Sequence, residues 1–180
     1  MPTVSASFKK VIRQLTDTEK EAIILKAARR DAELYDILSY ELGELSLEEI
    51  SAQTSETMQA LLANATGRSQ SKALAKALRK CVKEIARFKR VTKDVKAEVD
   101  LHLYLLRLIF ENYTSHFDSF YKVFYTGSAR LLQRTMLLIQ KKLHEDYHLE
   151  YKEELDRFLQ QIHSHNKPLT FHLPHSFEVE

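Results

Sequence analysis

Apolar residues along this chain return at intervals of three and four. Phe8, Val11, Ile12 and Leu15 form one such stripe, and Ile23, Ile24, Ala27, Ala28, Leu34 and Leu38 a second. Residues so spaced share one helical face, so each stripe predicts an amphipathic helix. The most regular stripe runs from about Ser71 to Val91, through Leu74, Ala77, Leu78, Cys81, Val82, Ile85 and Phe88. The next segment, Val95 to Tyr113, is apolar on most sides and is expected at the centre of the molecule. Two more stripes pass through Leu131, Leu132, Met136, Ile139 and Leu143, and through Tyr151, Leu155, Phe158, Leu159 and Ile162.

Little in the chain would interrupt these helices. There is no proline between Pro2 and Pro168, and glycine occurs only at Gly43, Gly67 and Gly127. Ser5 or Ser7 can cap the first helix. Thr16-Asp17-Thr18-Glu19 and Ser46-Leu47-Glu48-Glu49 both read as capping boxes. Gly43 is a natural stop, Thr92-Lys93-Asp94 a break, and Gly127-Ser128 a turn. The expected fold is all-α. It is an antiparallel bundle, or a short solenoid-like array, of six or seven helices over residues 1–163. Residues 164–180, with Pro168 and Pro174 and no helical period, are expected to form an extended, mobile tail.

Composition narrows the class. A chain of 180 residues with 44% hydrophobic content suits one domain with a real core. Cys81 is the only thiol, so no internal disulfide can form and a reducing compartment fits best. The opening residues lack the pattern of a signal peptide. The most apolar window, Leu101 to Phe110, is interrupted by His102 and Arg107, and falls short of the ~20 residues that cross a bilayer. A cytoplasmic protein without a membrane span is expected.

Charge is distributed unevenly behind a net +2. Asp31 to Gly67 holds eight acidic residues and no Lys or Arg, whereas Arg68 to Lys96 holds eleven basic residues against Glu84 and Asp94. The basic block includes Lys72, Lys76, Arg79, Lys80, Lys83, Arg87 and Arg90, which occupy the sides left by the apolar stripe. Cations on a rigid rod can contact phosphates. The same helix could lie on an anionic membrane, but its apolar side is better used in the core. The competing expectation is that these cations neutralise the acidic helices before them.

Aromatic residues cluster too. Phe110, Tyr113, Phe117, Phe120, Tyr121 and Phe124 fall close together, and Phe110, Tyr113, Phe117, Phe120 or Tyr121, and Phe124 are expected on one helical face. Core packing is the default for such a face, and a protein interface is the functional alternative.

His144-Glu145-Asp146-Tyr147-His148 matches H-E-x-x-H, which on a helix sets two imidazoles a turn apart with Glu145 beside a bound water. Asp146 in the middle, and the lack of a third ligand at a diagnostic spacing, favour ordinary residues at a helix end, read here as a C-terminal one. Glu145 to His148 also gives one E-x-x-H, but a di-iron site needs a second. His163, His165, His172 and His175 are expected on the solvated tail. Cys81 lies in the apolar stripe as a packing residue. No phosphate loop, nucleophile elbow or cofactor motif is present, so no cofactor or small-molecule substrate is expected.

The segment Phe8-Lys9-Lys10-Val11-Ile12-Arg13-Gln14-Leu15-Thr16-Asp17-Thr18-Glu19 resembles the opening of a family of small, uncharacterised bacterial helical proteins. Those begin with a basic helix ending Leu-Ser/Thr-x-x-Glu and later carry a Lys-rich helix. The resemblance implies a bacterial, cytoplasmic, helical protein and transfers no site. The leading functional expectation is a non-enzymatic module that binds a protein partner or itself through the aromatic face. A nucleic-acid or polyanion binder using helix 72–93 comes second, and a metal-dependent hydrolase at His144, Glu145 and His148 a remote third.

Overall fold

Capping chemistry lays out the first helices. The computed structural model describes residues 3–165 and 167–178. Met1 and Pro2, and Asn166, Val179 and Glu180 of the expected tail, lie outside the described residues. Helix α1 (Ala6–Gln14) starts where Ser5 accepts the Phe8 N–H, and ends as Leu15 turns extended. Thr16 then opens α2 (Asp17–Arg30) with both bonds of its capping box to Glu19 in place. The sequence pattern runs on through Leu38, but the helix breaks at Asp31. The Asp31 carboxylate accepts the N–H groups of Glu33 and Leu34 and so caps a new helix, α3 (Ala32–Glu41). Gly43, at φ 75°, closes α3 in the left-handed conformation that glycine adopts at least cost.

These helices make up one compact unit, Met1–Ser46, and the rest of the chain a second, Leu47–Glu180. The division falls at Ser46, and the segment beyond residue 163 belongs to the second unit instead of standing apart. Within the first unit α2 packs on α3. Ser39 is the only buried side chain among its described residues.

The second unit contains α4 (Leu47–Ala63), α5 (Gln70–Thr92), α6 (Val95–Asn112), a 3₁₀ turn (Thr114–Asp118), α7 (Val123–Lys142) and α8 (Glu145–Ser164). The described residues thus hold eight α-helices and no strand, where six or seven helices were expected. Successive helices run in opposite directions. Cys81 Sγ donates to the Met58 carbonyl, Lys89 pairs with Glu98 at 2.8 Å, and the Tyr125 hydroxyl donates to the Ile162 carbonyl. Alternate helices therefore run parallel. From α5 to α7, Ser71 Oγ donates to the Tyr121 carbonyl at 2.7 Å, and Leu78 then meets Gly127. From α6 to α8, Tyr151 donates to Asp100, and Arg107 then pairs with Glu154. The unit is a bundle of packed helices.

The expected stripe of α5 is the buried one: Leu74, Ala77, Leu78, Cys81, Ile85 and Phe88 are all inside. Burial pushes the Cys81 thiol up to about 12, so it behaves as a packing group. The break expected near Thr92 is a tight turn, with Lys93 left-handed at φ 58° and Asp94 capping α6 through the Ala97 N–H. α6 is buried on most sides, from Val99 to Phe110.

Three expectations need correction here. Gly127 is not at a turn but within α7, where a Cβ would lie 3.1 Å from Leu78 Cδ2. Glycine at this position lets α5 and α7 approach closely. The aromatic residues do not share one helix, because α6 ends at Asn112 and the chain turns through the 3₁₀ segment before α7. Phe117, fully buried, touches Phe110, Phe124 and Tyr125 at centroid distances of 5.8, 5.6 and 5.6 Å, and Phe110 stacks on Phe158 at 4.7 Å. Finally, the segment after α8 is extended but docked at two positions, with exposed residues between them. Leu173 and Phe177 are buried, the Phe177 N–H donates to Asp156, and Lys152 donates to the Phe177 carbonyl. Lys167 donates to the carbonyls of Phe117 and Ser119, tying the tail to the 3₁₀ turn.

The division of the aromatic cluster gives a contrast in stability. Phe117→Ala is expected to cost about 3–5 kcal/mol, whereas Phe120→Ala, at a side chain 92% exposed, should change stability by less than about 0.5 kcal/mol. Urea denaturation of both variants checks this; equal losses would place Phe120 in the core as well.

Candidate functional site

The cations of α5 are sorted by their neighbours. Lys72 lies over the Tyr121 ring, 3.8 Å from its centroid. Lys89 pairs with the buried Glu98, and Arg87 with Glu84 on its own helix. Arg90 is engaged as well. Lys76, Arg79, Lys80 and Lys83, in the middle of the helix, are exposed and make no ion pair with any described residue. Neutralisation by the acidic segment therefore does not account for these four.

Because α5 spends its apolar stripe on the core, these side chains edge grooves to either side of it. A groove of about 450 Å³ toward α4 is bounded by Lys76 and Lys80 above small residues, Ala60, Ala73 and Ala77 among them. A larger groove of about 690 Å³ lies between α5 and α7. Its floor is apolar, formed by Leu78, Val82, Val123 and Leu131, with Gly127 opposite Leu78. Its rim carries Arg79 and Lys83 from α5 and Lys122, Arg130 and Arg134 from α7. No carboxylate lines either groove. Lys122, Arg130 and Arg134 also make no ion pair with a described residue, and the Arg130 guanidinium sits 5.6 Å from the Phe171 ring.

The α7 cations were not anticipated from sequence. Arg130 and Arg134 are four residues apart, which puts them on one helical face, and Gly127 one turn earlier marks the side that meets α5. That signal was obscured by reading Gly127 as a turn.

The other candidates fare differently. Phe110, Phe117 and Phe124 are core residues, Tyr113 is half-buried, and of the six expected interface aromatics only Phe120 and Tyr121 are exposed. His144 is the N-cap of α8, at the opposite helix end from the one expected, and accepts the Asp146 N–H through Nδ1. His144 is exposed while His148 is buried against Phe177, so the two rings do not share an open face. Among the described residues no group of three or more His, Cys, Asp or Glu is placed to hold a metal ion. Of the tail histidines, His163 stacks on His175 at 4.1 Å and His165 bonds Asp118 at 2.9 Å, while His172 is exposed.

With this geometry in hand, comparison with known proteins adds no kinship: no family model matches the chain, and no curated protein or solved structure is significantly similar to it. No helix among the described residues is long and apolar enough to cross a membrane.

The groove's charge reaches into the core. His102 of α6 is buried and its Nδ1 has no hydrogen-bond partner among the described residues. Burial, reinforced by the charges of Arg134 and Lys89, pushes its pKa down to about 4 from an ordinary 6.5. A histidine lowered in this way is neutral when folded yet protonates when unfolded, so stability is intact above pH 6.5 and falls as pH drops toward 4. Between pH 7 and pH 4, His102→Phe should lose about 3 kcal/mol less stability than the unaltered chain. Urea titrations at both pH values measure the difference, and parallel losses would show that His102 does not carry it.

Proposed function

We propose that the protein binds polyanions, nucleic-acid phosphates foremost, across the cationic face of α5 and α7. One observation carries this reading. Seven cations, Lys76, Arg79, Lys80, Lys83, Lys122, Arg130 and Arg134, border two adjoining grooves without a carboxylate or an ion pair among the described residues. Exposed ion pairs contribute little, so it is the absence of carboxylates from both groove linings, more than the absence of pairs, that makes this a cationic surface. Helices held by a packed core fix the spacing of these charges, and binding to phosphates releases counterions from the nucleic acid. Few exposed rings accompany the cations, which favours contact with the backbone over stacking on bases.

The apolar floor of the α5–α7 groove favours a second occupant, an acidic amphipathic segment of a partner protein. The two readings separate by salt and by floor. Duplex DNA should bind with log K falling linearly against log salt, with a slope of up to about −6 if all seven cations take part. Replacing Arg79, Lys83, Arg130 and Arg134 together by Gln should make that slope shallower by about 3 to 4. Fluorescence anisotropy across a salt series measures both. Absence of binding at low salt, or an unchanged slope in the variant, overturns the nucleic-acid reading. An acidic peptide lost on Val82→Asp, with no DNA binding by the unaltered chain, transfers the site to the second.

A further inference from the structure

The criterion that sets α5 apart from a membrane helix selects a different helix. α5 has its apolar side in the core, but α1 does not: none of its residues is buried. Phe8, Val11, Ile12 and Leu15 form one stripe, and Lys9, Lys10 and Arg13 occupy the rest of the circumference. Phe8 and Val11 are 56% and 55% exposed, and Val4 just before the helix 51%. The same character continues into α2, where Ile23, Ile24 and Leu25 are about half exposed, beside Lys26, Arg29 and Arg30. Of the seven cations in residues 3–30, only Lys20 is paired, with Asp17; the other six make no ion pair with a described residue. Against them stand Asp17, Glu19 and Glu21.

We propose that α1 is a peripheral anchor for an anionic lipid surface. A short helix with one apolar stripe and a cationic remainder lies in the plane of a bilayer interface, its stripe among the acyl chains and its cations at the headgroups. Charge narrows the choice to surfaces that are both apolar and anionic, and a nine-residue helix with one apolar stripe and a cationic remainder fits a lipid interface in its own plane. An apolar protein partner would cover the stripe yet leave six cations unanswered, and a second copy would bring the same cations to meet them. A nucleic acid would answer the cations and leave Phe8 and Val11 in water. An anionic bilayer satisfies both. The anchor uses none of the residues that line the cationic groove.

The chain contains no tryptophan, so Phe8→Trp places a single reporter on the stripe of the full-length protein. Vesicles of equal parts phosphatidylcholine and phosphatidylglycerol should shift its emission to the blue and co-sediment the protein; vesicles of phosphatidylcholine alone should do neither. Reversing Lys9, Lys10 and Arg13 to Glu should weaken binding by at least about tenfold, as should Val11→Asp. The groove variant with Gln at 79, 83, 130 and 134 should bind vesicles as before. No blue shift on the mixed vesicles overturns the proposal. So does binding that survives Val11→Asp or disappears in the groove variant. A dimer seen by sedimentation and dissolved by Val11→Asp, without vesicle binding, would give the stripe to a second copy instead.

Discussion

The contact between Gly127 and Leu78 is the constraint on which the cationic face rests. Two parallel helices separated by an intervening strand of chain have no short turn to hold them together. They stay adjacent because their side chains interlock and because Ser71 ties the start of α5 to the chain entering α7. With hydrogen at position 127 the α7 backbone comes close enough for Leu78 to fill the space a side chain would take. That approach brings Arg79 and Lys83 opposite Arg130 and Arg134. A larger residue at 127 would push the helices apart and flatten the groove while leaving each helix intact. The groove is therefore a product of packing between helices and not of either helix alone.

Gathering like charges works against the fold, though only weakly. Each of these cations is exposed, water and salt screen their mutual repulsion, and long stems let the charged ends spread. The repulsion is felt instead where water is excluded. His102, buried one helix away, is held neutral partly by Arg134. A ligand that neutralised the rim would lower the potential at His102.

What could be read from the chain follows a simple division. Features set within one turn of helix were legible: the Thr16–Glu19 capping box, the Gly43 stop, the α5 stripe and the turn at Lys93. Features set by distant partners were not, and one local choice was missed as well. Asp31 breaks a continuous apolar pattern because its carboxylate caps better than its backbone propagates, and periodicity is blind to that choice. Gly127 looked like a turn, since glycine for flexibility and glycine for close packing are the same letter. The aromatic run was assigned one face on the assumption of one helix, and the 3₁₀ turn re-aims Phe117 inward. The docked tail escaped notice because Leu173 and Phe177 are buried one at a time by an irregular backbone, which leaves no period. As for the site, the α5 cations were legible by composition; their α7 counterparts became visible only when the two helices were set side by side.

The two cationic surfaces differ in what holds them. The groove cations stand on helices backed by a buried core, so their spacing is fixed before any ligand arrives, and binding there costs little order. The α1 stripe has no buried residue beneath it. Nine residues are too few to be stable as an isolated helix in water, so α1 depends on its Ser5 cap and on whatever covers Phe8 and Val11. A surface that completes its own folding by docking is sensitive to the apolar character of what it meets. A surface already rigid is sensitive mainly to the spacing and number of charges. Salt alone should therefore release a ligand from the groove, while α1 keeps part of its hold through apolar burial that salt does not screen.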